Sequence, residues 1–402
     1  MKRKATLATG GFAHFVHDGF TATMYVLVPF WAEAFGLSLS QVGFLKMCSS
    51  SALASFQLPA SLLAERFGER AVLSAGTVVA GACFALLGLA SGFAALAVIL
   101  IAFGAGCGTQ HPLASSVVSR AYDSGGRRAA IGAYNFSGDL GKVAVPASVA
   151  AGAVAIGWRE STIAYGMVCV AAGIVIFLLL RRFGAGGPPL ARAESEPAAG
   201  PKTKGWGLRD RRGFALLSVI SMIDTGARIA FLTFMPFLLI DKGAAVEVVG
   251  FALALVFAGG AAGKLLCGLI AERVGVIRTT IFTEIATGGL ILVLITLPLM
   301  PALFLLPVFG VVLNGTSSVL YGTVGDFVDP DHQSRAFGLF YTLGIGTGAL
   351  TPVVFGVLSD LSDLETTLTV LAATLLASVP LCWLLRPSLA AVGVERAKVT
   401  FS

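Results

Sequence analysis

Leu62-Leu63-Ala64-Glu65-Arg66-Phe67-Gly68 and Leu269-Ile270-Ala271-Glu272-Arg273-Val274-Gly275 are nearly the same heptapeptide. Each ends an apolar run with an acid, a base and a glycine. At the same offset Pro29-Phe30 aligns with Pro236-Phe237, and Gly19 with Gly226. One residue out of step, Gly132 and Pro146 align with Gly338 and Pro352. So many matches at nearly one spacing mark two related halves within one chain. Parallel repeats of membrane helices are a transporter architecture, with the binding site expected between the halves near mid-membrane.

The composition fits that reading. Of 402 residues, 56% are hydrophobic and 12% charged, against roughly a quarter charged in a soluble domain. Such a chain has too little polar surface to cover itself in water. A spanning helix needs roughly 20 mostly apolar residues. About twelve such stretches are present, near 7–33, 41–64, 71–90, 93–118, 128–155, 162–181, 213–240, 246–271, 277–298, 300–322, 334–358 and 364–386. The sequence therefore predicts an all-α membrane protein of about twelve transmembrane helices in two six-helix repeats. Residues 1–181 form the first bundle, 182–212 a Gly-, Pro- and Glu-containing linker, and 213–402 the second bundle.

The net charge of +6 does not point to nucleic acid, because the basic residues sit in short loops between apolar segments. Alternate loops carry them: Arg66 and Arg70, then Arg120, Arg127 and Arg128, the linker, Arg273 and Arg278, Arg335, and the basic C-terminal stretch. The positive-inside rule places these loops and both termini in the cytoplasm of a multi-pass protein of the cell (inner) membrane. The stretch after Met1-Lys2-Arg3-Lys4 carries His14, His17 and Asp18 and runs past Trp31, so it reads as the first span and not as a signal peptide. The six cysteines lie in apolar segments without metal-ligand spacing and read as packing residues.

At the repeated heptapeptides the chain resembles the major facilitator superfamily, whose second and third helices are joined by Gly-x-x-x-Asp-Arg-x-Gly-Arg-Arg. Ser61, Glu65, Arg66, Gly68 and Arg70 occupy that signature here, and Gly268, Glu272, Arg273, Gly275 and Arg278 repeat it. The resemblance implies a twelve-helix secondary transporter. It makes Glu65, Arg66, Arg70, Glu272, Arg273 and Arg278 a cytoplasmic gate that clamps helix ends. The turn requires glycine for its backbone angles. A narrower resemblance, to the fosmidomycin-resistance group of exporters, rests on Ala13-His14, His17-Asp18, Gly108-Thr109-Gln110-His111-Pro112 and Gly138-Asp139-Leu140-Gly141 with Pro146. Val145 stands where that group has the glycine of a Gly-Pro pair. This likeness implies export of a small organic or antimicrobial compound.

Ionisable residues inside a membrane are costly, and they face the bundle interior or a wet cavity. In the first span His14, His17 and Asp18 share a helix face through i+3 and i+4 spacing. Histidine titrates near neutral pH, so these residues, with Asp139, are the candidate proton-coupling set. The bland alternative is a hydrogen-bonded cluster fixing the first span to the fifth. Candidate substrate ligands are His111 beside a proline bend, Asn135 and Lys142 of the fifth span, Asp224 and Arg228 of the seventh, and Asn314 of the tenth, with Tyr321 a weaker one. Arg228 is suited to clamp a carboxylate, phosphate or phosphonate, with Asp224 as its partner when the site is empty; an internal salt bridge is the plain alternative. Lys46 is expected to snorkel from the outer end of the second span. Lys264 is expected to brace the gate, with Glu284 as its partner.

The sequence thus supports a proton-coupled transporter working by alternating access, and the exporter resemblance implies that it works in the direction of export. Proton-coupled uptake of an organic anion is the rival. A membrane enzyme using His14, His17, His111 and Asp18 as a metal set, and a sensor that moves no solute, are distant alternatives. The expected partners are a small-molecule substrate, protons and the bilayer. No cofactor, metal or nucleic acid is expected, and a single chain should suffice.

Overall fold

A computed structural model describes residues 2–122, 127–187, 207–328 and 333–400. Most of the linker therefore lies outside the described residues. The described chain is helical, apart from one isolated bridge between Leu208 and Val328. In order come α1 (Lys2–Phe35), α2 (Leu39–Phe67), α3 (Glu69–Leu87), α4 (Phe93–Cys107), α5 (Gln110–Ala121), α6 (Arg127–Ile156) and α7 (Trp158–Phe183). Then follow α8 (Arg211–Asp241), α9 (Val246–Val274), α10 (Val276–Thr296), α11 (Leu299–Thr323), α12 (Gln333–Leu361), α13 (Leu364–Leu376) and α14 (Ser378–Thr400), with a 3-10 turn at Val324–Phe327.

Two of the expected spans are interrupted. The fourth breaks at Gly108-Thr109 into α4 and α5, and the last breaks at Ala377 into α13 and α14. Pro112 lies in the first turn of α5, where a missing N–H costs nothing. Counting each broken pair as one rod leaves twelve. Ten of them are long and apolar enough to cross a bilayer. The other two, α1 and α2, have 34 and 29 residues, ample for a core about 30 Å thick at 1.5 Å per residue. Their histidines, serines and glycines lower their hydropathy.

The repeat is visible in the helix boundaries. Both α2 and α9 are 29 residues long, and each ends one residue before a glycine with positive φ: Gly68 at 84° and Gly275 at 99°. That region of backbone space admits glycine at little cost, so the repeated heptapeptide ends in a sharp helix-to-helix turn in both halves. Elsewhere Ser38 and Gln41 form a reciprocal capping box at the start of α2. The Asp363 carboxylate accepts from the Thr366 N–H at 2.7 Å to cap α13.

The helices form two compact units, Met1–Ser195 with Met235–Ala258, and Glu196–Phe234 with Gly259–Ser402. In the first, α1 packs along α6, α3 along α7, and α2 along α4. Its apolar core includes Leu113, Val117, Tyr134, Ile176 and Leu180. In the second, α10 packs on α11, α13 and α14, and Phe214, Leu320, Phe327 and Phe340 lie in the core. Phe304, Leu361, Leu58 and Val98 are between 68% and 81% exposed, which is how a lipid-facing surface reads. The six cysteines are buried and free.

Candidate functional site

Asp18 is the hub of a polar cluster inside the first unit. Its Oδ2 lies 2.8 Å from Lys142 Nζ and 3.3 Å from His14 Nε2. Its Oδ1 faces His17 Nε2 at 3.8 Å and His111 Nε2 at 3.9 Å, close enough for charge attraction but too long for hydrogen bonds. Lys142 also reaches Asp139 Oδ1 at 3.2 Å. Three helices, α1, α5 and α6, therefore converge on one carboxylate. The rings pack as well: His14 stacks on Tyr134 at 4.2 Å, and His17 meets His111 edge-on at 4.7 Å.

One bond in this cluster fixes a proton. His14 Nδ1 lies 2.9 Å from the Tyr134 carbonyl oxygen. A carbonyl only accepts, so Nδ1 carries the hydrogen. In the neutral ring Nε2 is then a bare lone pair, yet it points at a carboxylate oxygen and meets no donor. Two acceptors face each other. A single proton between His14 and Asp18 converts this contact into a charge-assisted hydrogen bond. Side chains and backbone thus bring the His14 ring nitrogen up to the same carboxylate oxygen that Lys142 holds.

Helix approach makes this possible. A Cβ on Gly138 would sit 2.7 Å from both Asp18 Oδ2 and His14 Nε2, and one on Gly141 would strike the Phe15 carbonyl. Tyr134 itself is held by its hydroxyl, which donates to Gln110 Oε1 at 3.3 Å. His14, Asp18 and His111 could each offer one metal ligand within 4.8 Å of the others. The ammonium of Lys142 beside the same carboxylate argues against a cation there.

Of the sequence candidates, His14, His17, Asp18, His111, Asp139 and Lys142 come together. Asn135 does not, being exposed on α6. Lys46 does not snorkel: it is 8% exposed and lies 4.6 Å over the Tyr25 ring. Burial against an aromatic face replaces the expected water contact.

The second unit holds a different arrangement. Asp224 and Glu284 are both buried and lie within hydrogen-bonding reach of each other. Glu284 is therefore part of the Asp224 site, rather than a brace near the α9–α10 turn. No ion pair closes between Asp224 and Arg228 among the described residues, and the Arg228 Nε is buried without a partner. Tyr321 lies near both Asp224 and Arg228. Asn314 is committed elsewhere, donating to the Gly310 carbonyl at 3.3 Å and packing on Gly260.

The repeated turns are asymmetric too. Glu65 and Arg66 are exposed, Arg66 lies 5.3 Å over the Phe67 ring, and Arg70 lies 5.5 Å over Phe177. The acid that clamps a neighbouring helix is Glu69. It pairs with Arg120 and accepts from Ser116 Oγ at 2.7 Å, both on α5. Glu272, Arg273 and Arg278 are exposed and form no ion pair among the described residues.

Comparison with known proteins agrees with the helix count and the repeat. The family model described as Major Facilitator Superfamily matches residues 10–238 and again 214–399. The chain belongs to the Major Facilitator Superfamily. It is a multi-pass membrane protein and a secondary transporter of small molecules. Among curated relatives, a "Hexuronate transporter" of Bacillus subtilis (strain 168) is 24% identical over 361 residues, 84% of each chain. A "Probable sulfoacetate transporter" of Cupriavidus necator is 26% identical over 367 residues, covering 83% of this chain and 82% of the relative. A "Probable L-galactonate transporter" of Escherichia coli (strain K12) is 27% identical over 149 residues, 37% of this chain and 33% of the relative. Among solved structures, an inward-facing bacterial homologue of the human lysosomal transporter Spinster aligns with a TM-score of 0.79 at 16% identity, covering 97% of this chain and 98% of that one. The nucleoside transporter NupG aligns with a TM-score of 0.75 at 12% identity, covering 95% and 98%. At such identities these structures speak for the superfamily fold alone.

Proposed function

We propose that this transporter carries a small organic anion, a carboxylate or sulfonate, into the cell together with protons. The observation that carries the reading is the contact of Asp18 Oδ2 with both His14 Nε2 and Lys142 Nζ. A proton on the His14–Asp18 pair weakens the hold of Asp18 on Lys142. The freed ammonium then attracts an anion. Loss of the proton restores the ion pair and expels the anion, so proton and anion move together. The relatives support the substrate class, since hexuronate, galactonate and sulfoacetate are all organic anions. They support the anion reading over export of an antimicrobial compound, and they lend nothing to the fosmidomycin-resistance resemblance.

In this reading His14, His17, Asp18 and Asp139 handle protons, and His111, Lys142 and Arg228 meet the substrate. The six-helix halves 1–181 and 213–402, joined by 182–212, alternate access to it. The basic loops imply that both termini lie in the cytoplasm of the cell membrane, and one chain is sufficient. The test uses proteoliposomes with a trapped pH dye and external uronates, aldonates and sulfoacetate. Proton influx on adding an anion supports the reading. Anion flux without proton movement, or proton efflux on anion entry, overturns it.

A further inference from the structure

Glu284 is 1% exposed and Asp224 is 4% exposed, on α10 and α8 of the same unit. One oxygen of each, Asp224 Oδ2 and Glu284 Oε2, is buried and meets no donor. An ionised carboxylate can only accept hydrogen bonds. Two carboxylates within reach of each other would therefore repel and leave acceptors unsatisfied, an arrangement that buried polar groups avoid.

The neighbours relieve this only in part. Thr316 and Ser378 lie beside Glu284. However, the Thr316 hydroxyl donates to Thr283 Oγ1 at 2.7 Å, and the Ser378 hydroxyl donates to the Leu375 carbonyl. The Arg228 side chain, one turn along α8, is near enough to attract Asp224 but forms no ion pair with it among the described residues. Among the described residues, the remaining titratable groups facing the pair are the Tyr321 phenol of α11 and the Cys382 thiol of α14. Neither carries a positive charge.

We propose that Asp224 and Glu284 form a second proton-binding site, a buried carboxyl pair that shares one proton between its two side chains. The protonated acid donates to its partner, which satisfies both groups at once. With one proton the pair carries one negative charge, and Arg228 balances it. An anion reaching Arg228 would upset that balance, and a second proton on the pair would restore it. This last step rests on the anion-transport reading above. The proton site itself does not.

Infrared difference spectroscopy of the purified transporter, titrated with pH and without any substrate, tests the site. The wild type should show the carbonyl stretch of a protonated carboxylic acid that is absent from the double variant Asp224→Asn/Glu284→Gln and present in Asp18→Asn. In each single variant the remaining acid should titrate at a different pH from the pair. If a substitution prevents folding, Asp224→Glu and Glu284→Asp replace it, and each should shift the band. A wild-type band that persists in the double variant, that is missing altogether, or that titrates identically in the single variants overturns the proposal. Anion flux reads the second step: Glu284→Gln should lose proton-driven accumulation while keeping exchange of internal for external anion. Undiminished accumulation in Glu284→Gln, when the wild type shows the infrared signature, retires the charge argument and leaves the site standing.

Discussion

Lys142 Nζ stands 2.8 Å from Asp18 Oδ2 and 3.2 Å from Asp139 Oδ1, so one ammonium joins α1 to α6 and serves two carboxylates. Removing one partner of a buried ion pair costs about 3–5 kcal/mol because a charge is left unpaired. Lys142→Met strands Asp18 and Asp139 together and should be destabilised by that order. Asp18→Asn leaves Lys142 its Asp139 contact and should lose less. The double variant Asp18→Asn/Lys142→Met should be more stable than Lys142→Met alone. Thermal unfolding in detergent reads all three. Simple additivity of the two single changes would mean the contact is not energetically coupled.

His14 separates proton binding from packing. Glutamine at this position can still donate to the Tyr134 carbonyl, but it cannot hold a proton for Asp18. His14→Gln should therefore stay within about 1 kcal/mol of the wild type, the worth of an ordinary hydrogen bond. It should lose proton-driven accumulation of anion while keeping downhill exchange. Wild-type accumulation by His14→Gln would remove His14 from the proton path.

Two glycines of α6 give a matched comparison. A Cβ at Gly138 meets Asp18 and His14 at 2.7 Å, whereas a Cβ at Gly132 meets nothing within 4 Å. Gly138→Ala should cost about 1–3 kcal/mol through overpacking and should abolish proton coupling by spreading the cluster. Gly132→Ala should leave both stability and flux near wild type. Equal behaviour of the two variants would show that helix approach at Gly138 is not what builds the site.

Much of this protein is legible in its sequence. The heptapeptides at 62–68 and 269–275 announce the repeat, and helices α2 and α9 reproduce it residue for residue in length. The i+3 and i+4 spacings place His14, His17 and Asp18 on one face, and Asp139 and Lys142 on another. What spacing within a helix does not give is which faces meet. The link from Asp18 to Lys142, and the pairing of Asp224 with Glu284 across α8 and α10, are tertiary facts. Glu284 carries a weak signal, as an acid two turns inside an otherwise apolar span, but the sequence offers Lys264 as an equally good partner. Lys46 misleads for the same reason, since its aromatic cover comes from Tyr25 on another helix.

The turn between α2 and α3 makes the same point through an experiment. The superfamily signature draws attention to Glu65, which is exposed and has no ion-pair partner among the described residues. Glu69 sits in the first turn of α3, where the helix dipole favours an acid, and it holds Arg120 and Ser116 on α5. That short helix also carries His111, so Glu69 braces one wall of the Asp18 cluster. Arg120 is more than half exposed, and such surface pairs contribute only about 0–1 kcal/mol. Glu69→Gln should therefore barely move the unfolding temperature, yet it should change the rate of anion exchange, because α5 loses its tether. Glu65→Gln should change neither. Measuring exchange rates and unfolding temperatures for both variants decides which acid works the turn, and a rate loss confined to Glu65→Gln would return the role to the signature position.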